Sequence, residues 1–147
     1  MFAEFLKNLI QPNPQRLSSV DARLALGALL VRVARADGHY EPAEVTKIET
    51  VLSDRYTLSQ SDATELRIRA EHLEEEAPDT VRFTRAIKDA VPYEDRESVI
   101  ESLWSVVLAD GARDHDEDTL LRLVANLLGV NDRDSALARQ RVEAKAK

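Results

Sequence analysis

Two segments of the chain are apolar on nearly every side of a helix, and the tripeptide Ala-Asp-Gly follows each of them within three residues. The first segment runs from Val20 to Val33 and the second from Val99 to Leu108. A helix with apolar residues around most of its circumference is buried among other elements rather than lying on the surface. The sequence therefore predicts two central helices.

The rest of the chain also has helical periodicity. Apolar residues recur at intervals of three and four, and glycine and proline are scarce, with four and five copies in 147 residues. We therefore predict an all-α fold, a compact bundle of about seven to eight helices. One domain of this length is expected at residues 15–140, after an amphipathic N-terminal arm of residues 1–14 and before a charged tail of residues 141–147.

The Ala-Asp-Gly turns belong to an internal duplication. Asp37 is followed seven residues later by Glu44, and Asp110 is followed at the same interval by Glu117. The two pairs are offset by 73 positions. This repetition predicts two related helical hairpins packed around one core.

Candidate caps continue the parallel downstream of the turns. Ser59 or Ser61 is the predicted N-cap of one helix in the first repeat, and Asn131 or Asp132 is its counterpart in the second. Each follows a short segment that closes the preceding helix. The duplication is therefore expected to include a third helix in each repeat.

An aspartate at the end of a helix is the unusual feature of both turns. Its carboxylate faces the negative end of the helix dipole, which costs about 0.3–1 kcal/mol on an exposed surface. A bound cation would offset that cost, and oxygen ligands favour calcium or magnesium, while His39 and His115 leave zinc or manganese open. The predicted ligands are Asp37, Glu44, Asp110, Asp114, Asp116 and Glu117.

The same acids also have an interpretation without metal. Acids near a helix N-terminus are stabilised by the helix dipole, and Asp114 or Asp116 could be an N-cap. The turns are not EF-hands, because glycine follows the first aspartate immediately. Both interpretations stay open on the residues alone.

Several functional classes are disfavoured. The chain has no Gly-x-Ser-x-Gly elbow and no phosphate-binding glycine loop, so we predict no enzymatic activity, no catalytic residues and no site for an organic cofactor. A net charge of −7 without a basic run argues against nucleic-acid binding. No stretch approaches the ~20 apolar residues of a membrane span. With no cysteine and no signal peptide, a cytoplasmic protein is expected.

The N-terminal arm carries an apolar face from Phe2 to Ile10. We expect it to pack on the core of its own chain, with homodimerisation as the alternative. Peripheral membrane contact is less favoured, because the polar face formed by Glu4, Lys7 and Asn8 lacks a basic cluster.

The paired Ala-Asp-Gly…Glu motifs resemble those of the TerB-like family associated with tellurite resistance, in its uncharacterised bacterial branch. The resemblance covers roughly residues 17–137. It implies about seven packed helices and an acidic pole proposed to bind divalent metal through Asp37, Glu44, Asp110 and Glu117. The second turn departs from the family pattern by its additional acids.

Two functions are compatible with these residues. The resemblance implies a non-enzymatic metal-binding module of a stress or metal-sensing system, in which metal occupancy would tune docking to a protein partner. The alternative is a structural or protein-interaction module without bound metal, which uses the N-terminal arm for docking or dimerisation.

Overall fold

The computed structural model describes residues 19–36, 38, 40–76, 84, 85, 87, 88, 91–109 and 115–146, with the side chains of 19–22, 115–117 and 146 left out. These residues form helices and connections, without a strand, which confirms the all-α prediction. The helices are α1 (Ser19–Ala34), α2 (Pro42–Tyr56), α3 (Gln60–Glu76), α4 (Tyr93–Val107), α5 (His115–Leu127) and α6 (Asp132–Ala146).

Six helices have both ends within the described residues, fewer than the predicted seven to eight. The N-terminal arm, which the sequence predicts as an amphipathic helix with its apolar face at Phe2–Ile10, lies outside the described residues. Residues 84, 85, 87 and 88, between α3 and α4, are helical as well. At the other end of the chain, α6 continues into the charged tail as far as Ala146.

α1 and α4 are the two central helices, as predicted. α1 contacts α2, α3, α4 and α5, and every residue from Leu24 to Ala34 except Arg32 is buried. α4 contacts α1, α2, α5 and α6 and buries residues on several sides, Trp104 among them. Each fully buried large apolar side chain contributes about 1.5–3 kcal/mol to folding. The core therefore lies along these two helices.

α1 and α3 approach each other closely at Gly27. A Cβ atom built there would lie 2.9 Å from the Cβ of Ala70, closer than real Cβ atoms pack. Glycine inside a helix costs about 0.8–1.0 kcal/mol relative to alanine. The short distance between the two helices explains why a glycine occupies this position.

α2 and α5 end with the same kind of backbone hydrogen bond, from an N–H group to the carbonyl five residues earlier. The N–H of Leu58 donates to the carbonyl of Ser53 at 3.0 Å, and the N–H of Val130 donates to the carbonyl of Ala125 at 2.8 Å. The residue before each donor, at position 57 or 129, has a positive φ. This combination is a Schellman closure, and it occurs at corresponding places in the two repeats.

α3 and α6 begin with equivalent caps. Ser59 Oγ accepts a hydrogen bond from the N–H of Asp62 at 3.1 Å, and Asn131 Oδ1 accepts one from the N–H of Asp134 at 2.8 Å. Each bond satisfies one of the free N–H groups of a helix N-terminus. The structure thus selects Ser59 and Asn131 among the predicted caps, and the duplication of the helix ends is confirmed.

In the part of the chain that the structure describes, every helix falls short of the combined length and apolar content that a membrane span needs.

Candidate functional site

α1 and α4 end with the same pair of backbone hydrogen bonds. The N–H of Arg35 donates to the carbonyl of Val31, and the N–H of Leu108 donates to the carbonyl of Trp104, both at 2.9 Å. The next N–H groups, at residues 36 and 109, each bond to a carbonyl three residues earlier at 3.2 Å. The two central helices therefore end at equivalent residues, which lie 73 positions apart.

The helices that follow the turns also begin at equivalent residues. α2 begins at Pro42 and α5 at His115, again 73 positions apart. Glu44 and Glu117 are consequently the third residue of their helices. The predicted ligands of the two repeats thus have corresponding places along the chain relative to the helices that flank them.

Glu44 is a buried acid, with only 1% of its surface exposed. Its Oε1 accepts a hydrogen bond from the N–H of Glu41 at 3.1 Å, so it satisfies a free donor at the start of α2. The carboxylate also lies at the positive end of the helix dipole. A charged group taken out of water must be compensated by partners. The buried Glu44 carboxylate therefore depends on the polar groups at the start of α2.

The other predicted ligands have no described side chain. Asp37, Asp110 and Asp114 lie outside the described residues, and Asp116 and Glu117 are described by their backbone in the first turn of α5. Within the described side chains, no group of three or more histidine, aspartate or glutamate residues is arranged to hold a metal. The metal site therefore stays a prediction.

A groove of about 540 Å³ joins the end of α1 to α5. Ala36, which directly precedes Asp37, lies on one side, and Thr119, about one helical turn after His115, lies on the other. The groove therefore brings the end of the first central helix near the acidic start of α5. Its full lining is Arg32, Arg35, Ala36, Glu74, Thr119, Leu120 and Leu123.

Arg32 and Arg35 bind an acid on α3. Arg32 Nη2 donates to the backbone carbonyl of Glu74 at 3.1 Å and to its Oε2 at 3.4 Å, and Arg35 Nη1 donates to its Oε1 at 2.9 Å. Glu74 therefore receives charge-assisted hydrogen bonds from two arginines one turn apart. The arginines at the end of α1 therefore pair with an acid of the neighbouring helix.

Tyr40 links the connection before α2 to α3. Its hydroxyl donates to Glu71 Oε2 at 2.7 Å, and the guanidinium of Arg35 lies 4.9 Å from the centre of its ring. Burial, together with the neighbouring Glu71 carboxylate, raises the pKa of Tyr40 well above its ordinary value, so the phenol stays protonated as a donor. Arg67 donates to Glu71 Oε2 and to Glu49 Oε2, both at 2.6 Å, and thereby connects the tyrosine to α2.

The hydrogen-bond network that joins Tyr40, Glu71, Arg67 and Glu49 was not predicted from the sequence. The i,i+4 spacing of Arg67 and Glu71 could have indicated their pairing within α3. The bond between Tyr40 and Glu71 joins residues 31 positions apart, and nothing in the local sequence signals it.

Residues 23–140 match the family model described as Tellurite resistance protein TerB. Comparisons of the chain with curated proteins and with solved structures found no match. The family match covers well over half of the chain and includes both turns and the helices that flank them. The chain therefore belongs to the TerB family.

Proposed function

We propose that this chain is a non-enzymatic module that binds a divalent metal at the end of the bundle where α1 and α4 end and α2 and α5 begin. Calcium and magnesium are favoured, because all the proposed ligands are carboxylates and hard cations prefer oxygen donors. The proposed ligands are Asp37, Glu44, Asp110 and Glu117, with Asp114 and Asp116 as additional donors from the second turn.

The equivalence of the two helix ends carries this proposal. Identical hydrogen bonds close α1 and α4, and each central helix is followed, at the same distance, by an aspartate. A carboxylate at that place is disfavoured by the helix dipole. Its occurrence twice, at positions that the backbone makes equivalent, is explained by a cation that both turns bind.

Glu44 supports the proposal from the other side of the first turn. The N–H of Glu41 holds the Glu44 carboxylate in one orientation, and burial keeps bulk water away from this carboxylate. A pre-oriented oxygen ligand loses less conformational freedom on binding than a mobile one. The residue therefore fits the role of a metal ligand as well as that of a helix cap.

The groove beside the first turn suggests how metal binding would affect a protein partner. A cation that neutralises the acids would change the charge next to the exposed Leu123 and the half-buried Leu120, and so change the surface offered to a protein partner. We propose that metal occupancy tunes such docking in a cytoplasmic stress or metal-sensing system. Family membership supports the link to tellurite resistance.

Calorimetric titration of the chelator-treated chain with calcium, magnesium, manganese and zinc tests the proposal. At a metal concentration 100 times Kd, binding would stabilise the fold by about 2.7 kcal/mol and raise Tm by roughly 5–10 °C. Asp37→Asn and Asp110→Asn should each reduce that shift. Asp54→Asn, at an exposed acid of α2, is the matched control and should leave it unchanged.

Silent heats for all four metals, together with an unchanged Tm at millimolar metal, would contradict the proposal. If Asp54→Asn removes the metal-induced Tm shift as effectively as Asp37→Asn, the shift reflects nonspecific attraction of cations by an acidic protein.

The alternative function, an interaction module without metal, is favoured by one observation. Glu44 Oε1 already serves α2 as a cap, which gives this buried acid a structural role. In this alternative the N-terminal arm, which lies outside the described residues, is the docking surface. Deletion of residues 1–14 should then convert a dimer to a monomer in solution or abolish sedimentation with liposomes. Metal titrations should give no heat.

A further inference from the structure

We propose that the groove between α1 and α5 binds an amphipathic helix of another protein, which packs an apolar side chain on Leu123 and offers a carboxylate to Arg35. This role rests on the docking part of the proposed function and deepens it by naming the kind of partner. Described side chains form the surface, and docking there needs no metal.

Two leucines of α5 give the groove an apolar side. Leu123 is 50% exposed, and Leu120, which also lines the groove, is half-buried against the core. The two residues are three positions apart and therefore lie on the same face of the helix. A partner that covers Leu123 would remove apolar surface from water, which favours binding.

The polar groups that the groove offers a partner are hydrogen-bond donors. Glu74, the acid in its lining, already accepts hydrogen bonds from Arg32 and Arg35, and its side chain is only 14% exposed. Arg35 is 29% exposed, and its ion pairs with described acids both run from Nη1. A guanidinium has three further N–H donors on Nε and Nη2, and a carboxylate is the acceptor that matches them in charge and shape.

Glu75 is the acid that a partner's carboxylate would replace at Arg35. It lies 3.5 Å from Arg35 Nη1 and is 61% exposed, and exposed ion pairs contribute little to stability. The net charge of −7 repels a strongly acidic segment at long range. The expected partner therefore carries a single carboxylate beside an apolar stripe rather than an acidic tail.

The open shape of the groove favours a protein over a small molecule. Both Leu123 and Thr119 are exposed, whereas small-molecule pockets bury about 70–90% of the surface of their ligand. α5 forms one side of the groove and the end of α1 lies on the other. A partner helix can lie across such a surface and present residues three and four positions apart to it.

Selection from a library of helical peptides tests the chemistry of the partner. Each peptide carries leucines at positions i, i+3, i+4 and i+7, with glutamate, glutamine or lysine randomised beside them. The unmodified full chain is used in the presence of a chelator. We expect the selected peptides to be enriched in glutamate at one position beside the leucines. Calorimetry then gives the Kd of a selected peptide and of its form with glutamine at that position.

Leu123→Ser should weaken binding of the selected peptide about tenfold, because the apolar contact is lost. Leu137→Ser, at the exposed leucine of α6, is the matched control and should leave the Kd unchanged.

Arg35→Gln should weaken binding about five- to tenfold and make the glutamate and glutamine forms of the peptide bind equally. Arg69→Gln, at a 65% exposed arginine of α3, should preserve the preference for glutamate. Thermal unfolding checks that each variant is folded. Leu123→Ser changes an exposed side chain, so it keeps the proposal testable if Arg35→Gln does not fold.

A library that yields no binding peptide, or that selects lysine in place of glutamate, would overturn the inference. Binding that Leu123→Ser leaves unchanged would place the peptide elsewhere and would also overturn it.

Two further measurements identify other occupants of the groove. A dimer of the unmodified chain that Leu123→Ser dissociates in sedimentation would assign the groove to a second copy. Displacement of the selected peptide by a synthetic peptide of residues 1–14 would assign it to the chain's own arm. Either result would overturn the inference. Because the selection is done without metal, silent metal titrations would refute the metal site alone.

Discussion

The two repeats, α1–α3 and α4–α6, share their helix ends but stabilise them differently. In the first repeat α1 packs closely on α3 through Gly27 and Ala70, and charged side chains tie the turn to α3. In the second repeat the corresponding positions are the larger Ile100 and Val142. Polar links join the central helix to the third helix in both halves, since Arg141 of α6 pairs with Glu101 of α4. The comparison teaches that one backbone plan can be kept with small residues at one helix contact and larger residues at the corresponding positions of the other repeat.

The largest expected difference between the repeats lies at the residues whose carbonyls close the central helices, Val31 and Trp104. Trp104→Ala should cost about 3–5 kcal/mol, because it leaves a large cavity and removes the bond from Nε1 to Ser135 Oγ at 3.2 Å. Val31→Ala removes two methyl groups and should cost about 1–2 kcal/mol. Urea unfolding of the two variants measures both free energies.

Equal costs at the two positions would break the comparison. They would mean that the second repeat does not depend on bulky packing more than the first.

An intermediate effect is expected at the glutamates that follow the turns. Glu44→Ala in the metal-free chain should lower the free energy of unfolding by about 1 kcal/mol, because the N–H of Glu41 loses its acceptor. If Glu117 caps α5 in the same way, Glu117→Ala should cost about as much. Thermal unfolding in the presence of chelator measures both, with Glu94→Ala, at an exposed acid in the first turn of α4, as the control.

A neutral Glu117→Ala beside a costly Glu44→Ala would show that the equivalence of the turns stops at the backbone. A cost for Glu94→Ala as large as that for Glu44→Ala would assign the effect to the general attraction between acids and helix N-termini.

The smallest expected effect is a dependence of stability on alkaline pH that arises in the first repeat. Burial raises the pKa of Tyr40 and Tyr56 above the ordinary value of 10.0, so the folded chain keeps both phenol protons where the unfolded chain releases them. The stabilisation is therefore complete below pH 10 and is lost as pH rises toward the folded-state pKa values. Tyr40→Phe should reduce the slope of unfolding free energy against pH above 10, measured by urea unfolding.

Tyr93→Phe, at the exposed tyrosine of the second repeat, is the matched control for this measurement. A reduction of the slope by Tyr93→Phe as large as that by Tyr40→Phe would contradict the assignment to the first repeat.

Most helix ends could be predicted because their signals are local. Ser59 and Asn131 cap α3 and α6, both within the alternatives that the sequence offered, and proline occupies the first position of α2, where it is favoured. Each signal acts over three or four residues, the range of a single helical turn. The role of Gly27 was not predicted, because it depends on the distance between α1 and α3.

The candidate site likewise has features that the sequence predicts and features that it does not. The spacing of Asp37, Glu44, Asp110 and Glu117 is visible in the sequence, and the family match includes all four positions. The burial of Glu44 was not visible, since an acid in the first turn of a helix is ordinarily exposed. The anchoring of the first turn by Tyr40 was equally hidden, because its partner lies on another helix.

The sequence by itself determined that this protein is helical, that two of its helices are central, and that their ends are duplicated. These properties follow from periodicity and capping, which act between residues a few positions apart. Only the tertiary structure decided that Glu44 is buried and that Arg35 and Tyr40 bond to α3. Those outcomes depend on side chains that are tens of residues apart in the chain and meet only when the helices pack.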